Sequence, residues 1–190
     1  MGYSTPLMSP MNLPNFITIG RILLVPITVW LIISSEFSLA FIAFVVAGIS
    51  DGVDGFIARR LNQRSELGAY LDPVADKALL VSIYVTLGLL KFLPAWLVIL
   101  VVTRDVLIVG AVVLAWVVNK PMPVSPSMVS KVNTVGQIVL AGVVLGLLGL
   151  NISLDPLVFT GFALVAVLTF GSGALYMQAW VKHMANGSLE

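Results

Sequence analysis

Apolar residues in this chain run in long unbroken stretches, without the alternation of a half-buried strand or the single stripe of a surface helix. Six stretches are long enough to cross a hydrocarbon layer as helices. They run from Phe16 to Ile33, Leu39 to Ala58, Ala69 to Leu90, Ala95 to Val118, Val129 to Leu150 and Leu157 to Val181. Pro94, Pro121, Pro123, Pro126 and Pro156 fall between them, where a missing backbone donor costs least. Asn12-Leu13-Pro14-Asn15 reads as a helix entry, with a polar cap and an early proline. The pattern predicts an all-α polytopic membrane protein of six transmembrane helices. It forms a single domain over residues 1–185, with no internal repeat. The closing Gly187-Ser188-Leu189-Glu190 reads as an expression remnant, so residues 186–190 are set apart from that domain.

Composition sharpens this picture. Of the 190 residues 59% are hydrophobic and only 10% charged, against about 25% charged in a soluble domain. The mean hydropathy is +1.06. Such a chain cannot cover a water-facing surface, and a bilayer is the solvent that suits it. With no cysteine, thiol nucleophiles and disulfides are excluded. The sole histidine, His183, lies near the C-terminus, so any catalysis falls to carboxylates. The net charge of +1 says little, but its distribution says more. Arg59, Arg60, Arg64, Lys120 and Lys182 fall on one side of a six-span topology, and only Lys91 lies in the loops opposite. The positive-inside rule then places both termini in the cytoplasm. Trp30, Trp96, Trp116 and Trp180 stand near span ends, as interfacial aromatics do. Met1 to Met11 has neither a signal peptide's charged start and cleavage site nor a transit peptide's arginines. That favours the inner (plasma) membrane of a bacterium over an organelle, and no nucleic-acid partner is expected.

Several spans carry ionisable groups that a plain anchor would lack: Asp51, Asp54, Asp72, Asp76, Lys77, Arg104, Asp105 and Lys131. Each costs a few kcal/mol against hydrocarbon, so such groups face a polar cavity and mark function by default. Asp51, Asp54, Gly55 and Ala58 share one helical stripe, and Asp72 and Asp76, four apart, share a face of the next helix. An antiparallel return lets four carboxylates converge near the cytoplasmic surface. They cannot all stay ionised there without cations. All-oxygen ligation suits magnesium, manganese or calcium, and a pair of such ions is the clamp used for phosphoryl displacement. The missing side chains of Gly55 and Ala58 leave a groove beside the acids, and Arg59 offers a planar donor for a diphosphate. Blander readings exist: Asp72 before Pro73 as a helix cap, and Gly55 with Ala58 as a packing contact.

Residues 51 to 76 spell Asp-x2-Asp-Gly-x2-Ala-Arg-x8-Gly-x3-Asp-x3-Asp, and all eight fixed positions resemble the defining motif of the CDP-alcohol phosphatidyltransferase family. Chance gives such a match on the order of once in ten billion starting positions, which sets coincidence aside. The resemblance implies six transmembrane helices, a homodimer, and transfer of a phosphatidyl group from CDP-diacylglycerol with release of CMP. It implies two divalent ions, Mg2+ or Mn2+, held by Asp51, Asp54, Asp72 and Asp76, with Asp76 also the base that deprotonates the acceptor. It assigns Gly55, Ala58, Arg59 and Gly68 to the CDP moiety.

Within that family the chain is most similar to the eukaryotic-type cardiolipin synthases. The similar stretches are Asn12-Leu13-Pro14-Asn15 with Arg21 and Pro26, Asn62-Gln63-Arg64-Ser65, Arg104-Asp105-Val106 and Ser130-Lys131-Val132-Asn133-Thr134. This implies phosphatidylglycerol as acceptor, with Arg21, Arg104, Lys131 and Asn133 as candidate groups for its phosphate. Arg104 and Asp105 also read as a buried structural pair, and Lys131 as a snorkelling anchor. A phosphatidylglycerophosphate synthase using glycerol 3-phosphate is the near alternative, because the same basic groups serve a soluble phosphate. An ion or metal transporter is the remote one. It would need polar residues across the whole bilayer, whereas Ala40 to Ile49 holds no charge.

Overall fold

A computed structural model describes residues 13–61, 66–118, 128–154 and 156–186. Within these, the side chains of 13–19, 51–61, 66–75 and a few single positions are not described. The described residues form six helices and no strand: α1 (Leu13–Ile33), α2 (Phe37–Leu61), α3 (Glu66–Leu89), α4 (Ala95–Val117), α5 (Met128–Gly149) and α6 (Pro156–Asn186). The six apolar stretches each became one helix. The largest differences are at the polar ends, where α2 runs on through Leu61 and α6 through Asn186. Hydropathy marks where hydrocarbon would end, whereas a helix stops only where capping or geometry stops it. By length and apolar composition, Met128–Gly149 and Val158–Ala185 are candidate membrane spans among the described residues. Gly20–Ile33 and Phe37–Ser50 form shorter apolar helical stretches.

Helices α1, α3 and α5 end in the same way. Ser35, Lys91 and Asn151 hold left-handed backbone, with φ of 62°, 65° and 57°. In each case the next N–H reaches back to the carbonyl five residues earlier: Glu36 to Leu31, Phe92 to Leu87 and Ile152 to Leu147, all at 2.9 Å. The left-handed residue itself bonds three back, at 3.0–3.1 Å. This is the Schellman closure, which satisfies carbonyls that a helix end would otherwise strand.

The chain divides into two compact units, one ending at Ile83 and the other beginning at Tyr84, with the boundary inside α3. In the first unit α1 packs on α2. Ile32, Ala40, Ala47 and Ile83 are fully buried there. Thr28 and Ser50 return their hydroxyls to the carbonyls of Leu24 and Val46, at 2.8 and 2.7 Å. This back-bonding satisfies a hydroxyl in apolar surroundings.

In the second unit α6 packs on both α4 and α5. Glycines allow the close approach of α5 and α6. A Cβ at Gly161 would lie 3.2 Å from Leu140 Cδ1, and one at Gly136 would lie 3.4 Å from Leu168 Cδ1. Trp180 ties α6 to α4 by donating its indole N–H to the Ala111 carbonyl at 3.0 Å. It therefore has a packing partner inside the protein, whereas Trp30 and Trp96 are exposed.

Burial is inverted relative to a water-soluble domain. Large apolar side chains such as Leu23, Trp30, Leu89, Val167 and Phe170 are exposed, while Arg21, Arg104, Asp105, Asn133, Gln137, Thr169 and Ser172 are buried. Hydrocarbon as solvent favours that arrangement, because it rewards exposed carbon and penalises exposed polar groups.

Left-handed backbone strains a side chain at Ser35 and Lys91, and glycine removes the strain. Ser35→Gly and Lys91→Gly are each expected to stabilise the protein by about 1 kcal/mol, read as a raised Tm in detergent. Asn151→Gly should gain less, since asparagine tolerates this conformation.

Candidate active site

The helix register puts the acidic motif on two consecutive helices, α2 and α3. Asp51, Asp54, Gly55, Ala58 and Arg59 all lie in the second half of α2. Gly68, Asp72 and Asp76 lie in the first half of α3. Helical backbone through both segments keeps Asp51, Asp54, Gly55 and Ala58 on one stripe and Asp72 with Asp76 on one face. Asp72 and Pro73 sit inside α3, which begins at Glu66, so Asp72 does not cap the start of that helix. The side chains of Asp51, Asp54, Gly55, Ala58, Arg59, Gly68 and Asp72 lie outside the described set, and Asp76 alone of the eight is described in full. Among described residues no cluster of three acidic, histidine or cysteine side chains forms.

Asp76 is held from α1. Arg21 Nη1 donates to Asp76 Oδ1 at 2.7 Å, across 55 residues of sequence. The two partners differ in exposure: the Arg21 side chain is 1% exposed and that of Asp76 is 47% exposed. Arg21 therefore faces a carboxylate of the motif, where the sequence offered it as an acceptor-phosphate ligand. A half-open carboxylate at a helix surface is an all-oxygen donor available to a hard cation or to a hydroxyl proton, and that chemistry fits a divalent metal.

A second polar cluster lies within the unit that begins at Tyr84. Arg104 on α4 donates through Nη1 to Asp105 Oδ1 at 2.7 Å. Its Nη2 reaches Ser130 Oγ on α5 at 2.5 Å and Ser172 Oγ on α6 at 2.6 Å. One guanidinium thus joins three helices. Gly173 makes room for its stem, since a Cβ there would lie 3.4 Å from Arg104 Cγ. Arg104 Nε is buried without a hydrogen-bond partner. Asp105 is also buried, so the pair has the form of a buried ion pair.

One turn further along α5, Thr169 Oγ1 donates to Asn133 Oδ1 at 2.8 Å and accepts from Gln137 Nε2 at 3.3 Å. Tyr84 donates its hydroxyl to the Gln137 carbonyl at 3.0 Å. Asn133 Nδ2 and Gln137 Oε1 are buried and unpartnered. Lys131 is exposed whereas Asn133, two residues on, is fully buried, so the two stand on different faces of α5. Of the four acceptor-site candidates, Arg21 and Arg104 each hold a carboxylate, Asn133 holds a threonine, and Lys131 presents its side chain outward.

Gln137, Thr169, Ser172 and Tyr84 are residues that the sequence reading missed. Their signal was present as polar positions spaced three and four apart on apolar helices: 130, 133, 134 and 137 on α5, and 169, 172 and 176 on α6.

The sequence profile of the CDP-alcohol phosphatidyltransferase family matches residues 11–181, nearly the whole chain. The chain belongs to this family. Its curated relatives include the human cardiolipin synthase (CMP-forming), 37% identical over 155 residues, which covers 72% of this chain and 52% of that protein. A chloroplastic CDP-diacylglycerol–glycerol-3-phosphate 3-phosphatidyltransferase from rice is 37% identical over 152 residues, 71% of this chain and 46% of its own. A putative cardiolipin synthase of Mycobacterium tuberculosis is 38% identical over 107 residues, 56% of this chain and 51% of its own. The chain spans about half the length of the curated relatives it matches.

Breaking a buried ion pair from one side leaves an uncompensated charge. Asp105→Asn should therefore destabilise this phosphatidyltransferase by about 3–5 kcal/mol. The double variant Arg104→Met with Asp105→Leu should recover most of that loss, as read by thermal unfolding in detergent.

Proposed function

We propose that the protein transfers the phosphatidyl group of CDP-diacylglycerol to phosphatidylglycerol, giving cardiolipin and CMP. The observation that carries this reading is the complete eight-position motif on α2 and α3, in a chain similar to cardiolipin synthases over most of its length. In the same reading all six helices cross the membrane, and both termini lie on the side that carries Arg59, Arg60, Arg64, Lys120 and Lys182. The site then opens at the cytoplasmic face. The similarity to mycobacterial proteins supports a bacterial plasma membrane, and the family resemblance makes a homodimer the working unit of this reading.

Asp51, Asp54, Asp72 and Asp76 would hold two divalent ions, Mg2+ or Mn2+. Bound there, such ions neutralise negative charge on the diphosphate as CMP departs. Gly55 and Ala58 leave the α2 backbone open to the CDP moiety, Gly68 permits close approach at the start of α3, and Arg59 donates to the diphosphate. Asp76 takes the proton from a primary hydroxyl of the acceptor's terminal glycerol. That oxygen attacks the β-phosphorus in line, the new P–O bond forms as the bond to CMP breaks, and CMP leaves with the electron pair. Positioning and electrostatics carry the rate, without a covalent enzyme intermediate. Lys131, exposed on α5, is the side chain we assign first to the acceptor phosphate, with Arg104 and Asn133 behind it.

The second reading, glycerol 3-phosphate as acceptor, is favoured by the similarity to the rice glycerol-3-phosphate phosphatidyltransferase at the same 37% identity. Purified protein given CDP-diacylglycerol should release CMP with phosphatidylglycerol and not with glycerol 3-phosphate, and a chelator should abolish that release. Release with glycerol 3-phosphate alone would transfer the assignment to the second reading. Asp76→Asn should lower turnover at least about a hundredfold. Near-normal turnover in a folded variant would remove Asp76 as the base.

A further inference from the structure

Arg21 is a buried charge that meets an open-faced partner, Asp76. Burying a guanidinium is costly unless its charge is met, and here a carboxylate oxygen 2.7 Å away meets it. The two exposures put the pair in an order. With 1% of its side chain accessible, Arg21 offers no surface to a substrate phosphate while the pair stands, whereas nearly half of the Asp76 side chain is open. Whatever fills the site meets the carboxylate first, with the guanidinium behind it. The bond is short and charge-assisted, and it comes from a planar, rigid donor, so it fixes orientation as well as distance. It also comes from a different helix, α1, so a restraint on the aim of the Asp76 side chain comes from outside α3.

We propose that Arg21 is a positioning residue for Asp76, holding its carboxylate in the orientation that serves the transfer, and that it does not bind the acceptor. The inference rests on the reading of Asp76 as the base. A base displaced by about 1 Å loses on the order of a hundredfold in rate, so a residue acting only through Asp76 changes turnover and spares substrate affinity. Lysine in its place keeps the buried charge but has no planar fork to set the angle.

The test uses full-length protein in detergent, with Arg21→Gln, Arg21→Lys, Lys131→Gln and Asp76→Asn compared with the wild type. Turnover and KM for phosphatidylglycerol are measured, together with the rise in Tm that phosphatidylglycerol produces without metal or CDP-diacylglycerol. The expected result is that both Arg21 variants lower kcat about 10- to 100-fold. They should keep KM within about threefold and retain the full phosphatidylglycerol-induced rise in Tm. In the Asp76→Asn background, Arg21→Lys should cost little more. Arg21→Lys keeps the question answerable if Arg21→Gln fails to fold. A folded Arg21→Lys with wild-type kcat would reduce the pair to a structural contact and overturn the proposal. A tenfold or larger rise in KM with the Tm response lost would also overturn it and make Arg21 an acceptor ligand. Lys131→Gln supplies the reference for that pattern. Full turnover by Asp76→Asn would instead sink the underlying reading of the base, whatever the Arg21 variants do.

Discussion

Charge inside an apolar surround has to be matched, and among the described residues two arginine–aspartate pairs match it. Arg21 and Arg104 are both deeply buried, and each donates an Nη1 to an aspartate oxygen at 2.7 Å. With so much carbon on the outside, unpaired guanidinium groups would cost more than local packing returns. Helix positions at residues 21, 76, 104 and 105 are therefore fixed by electrostatics as much as by shape. The remaining buried polar groups follow the same rule at lower stakes, as Thr28, Thr169 and Ser172 each find a partner.

The two pairs differ in what their carboxylates can do. Asp105 is enclosed with its arginine, and its charge is used up in tying α4 to α5 and α6 through the Arg104 fork. Asp76 keeps about half of its surface. The same two residue types thus give a closed clasp in one unit and an open, braced carboxylate in the other. The open one is the carboxylate proposed as the base.

Much of this was legible in the sequence. The six helices could be read because apolar runs of about twenty residues separated by prolines leave few alternatives, and the observed ends fall within a few residues of the apolar runs, furthest off where α6 continues through Asn186. The acidic motif could be read because carboxylates at positions 51, 54, 72 and 76 are too costly in such a chain to be incidental. The partner of Arg21 could not be read. A pair 55 residues apart leaves no periodic trace, and the resemblance to cardiolipin synthases offered that arginine to a phosphate. Thr169 and Gln137 escaped for the opposite reason. A hydroxyl or amide in an apolar helix costs little enough to pass for ordinary composition, and only the fold reveals that the two meet.

The three matching helix closures at Ser35, Lys91 and Asn151 bear on assembly. Those at Ser35 and Asn151 stand between helices that pack on each other, α1 with α2 and α5 with α6. Loop closure over so few residues carries a small entropy cost, and contacts between sequence neighbours form early. Each of these two hairpins is thereby suited to close during synthesis as soon as its second helix emerges.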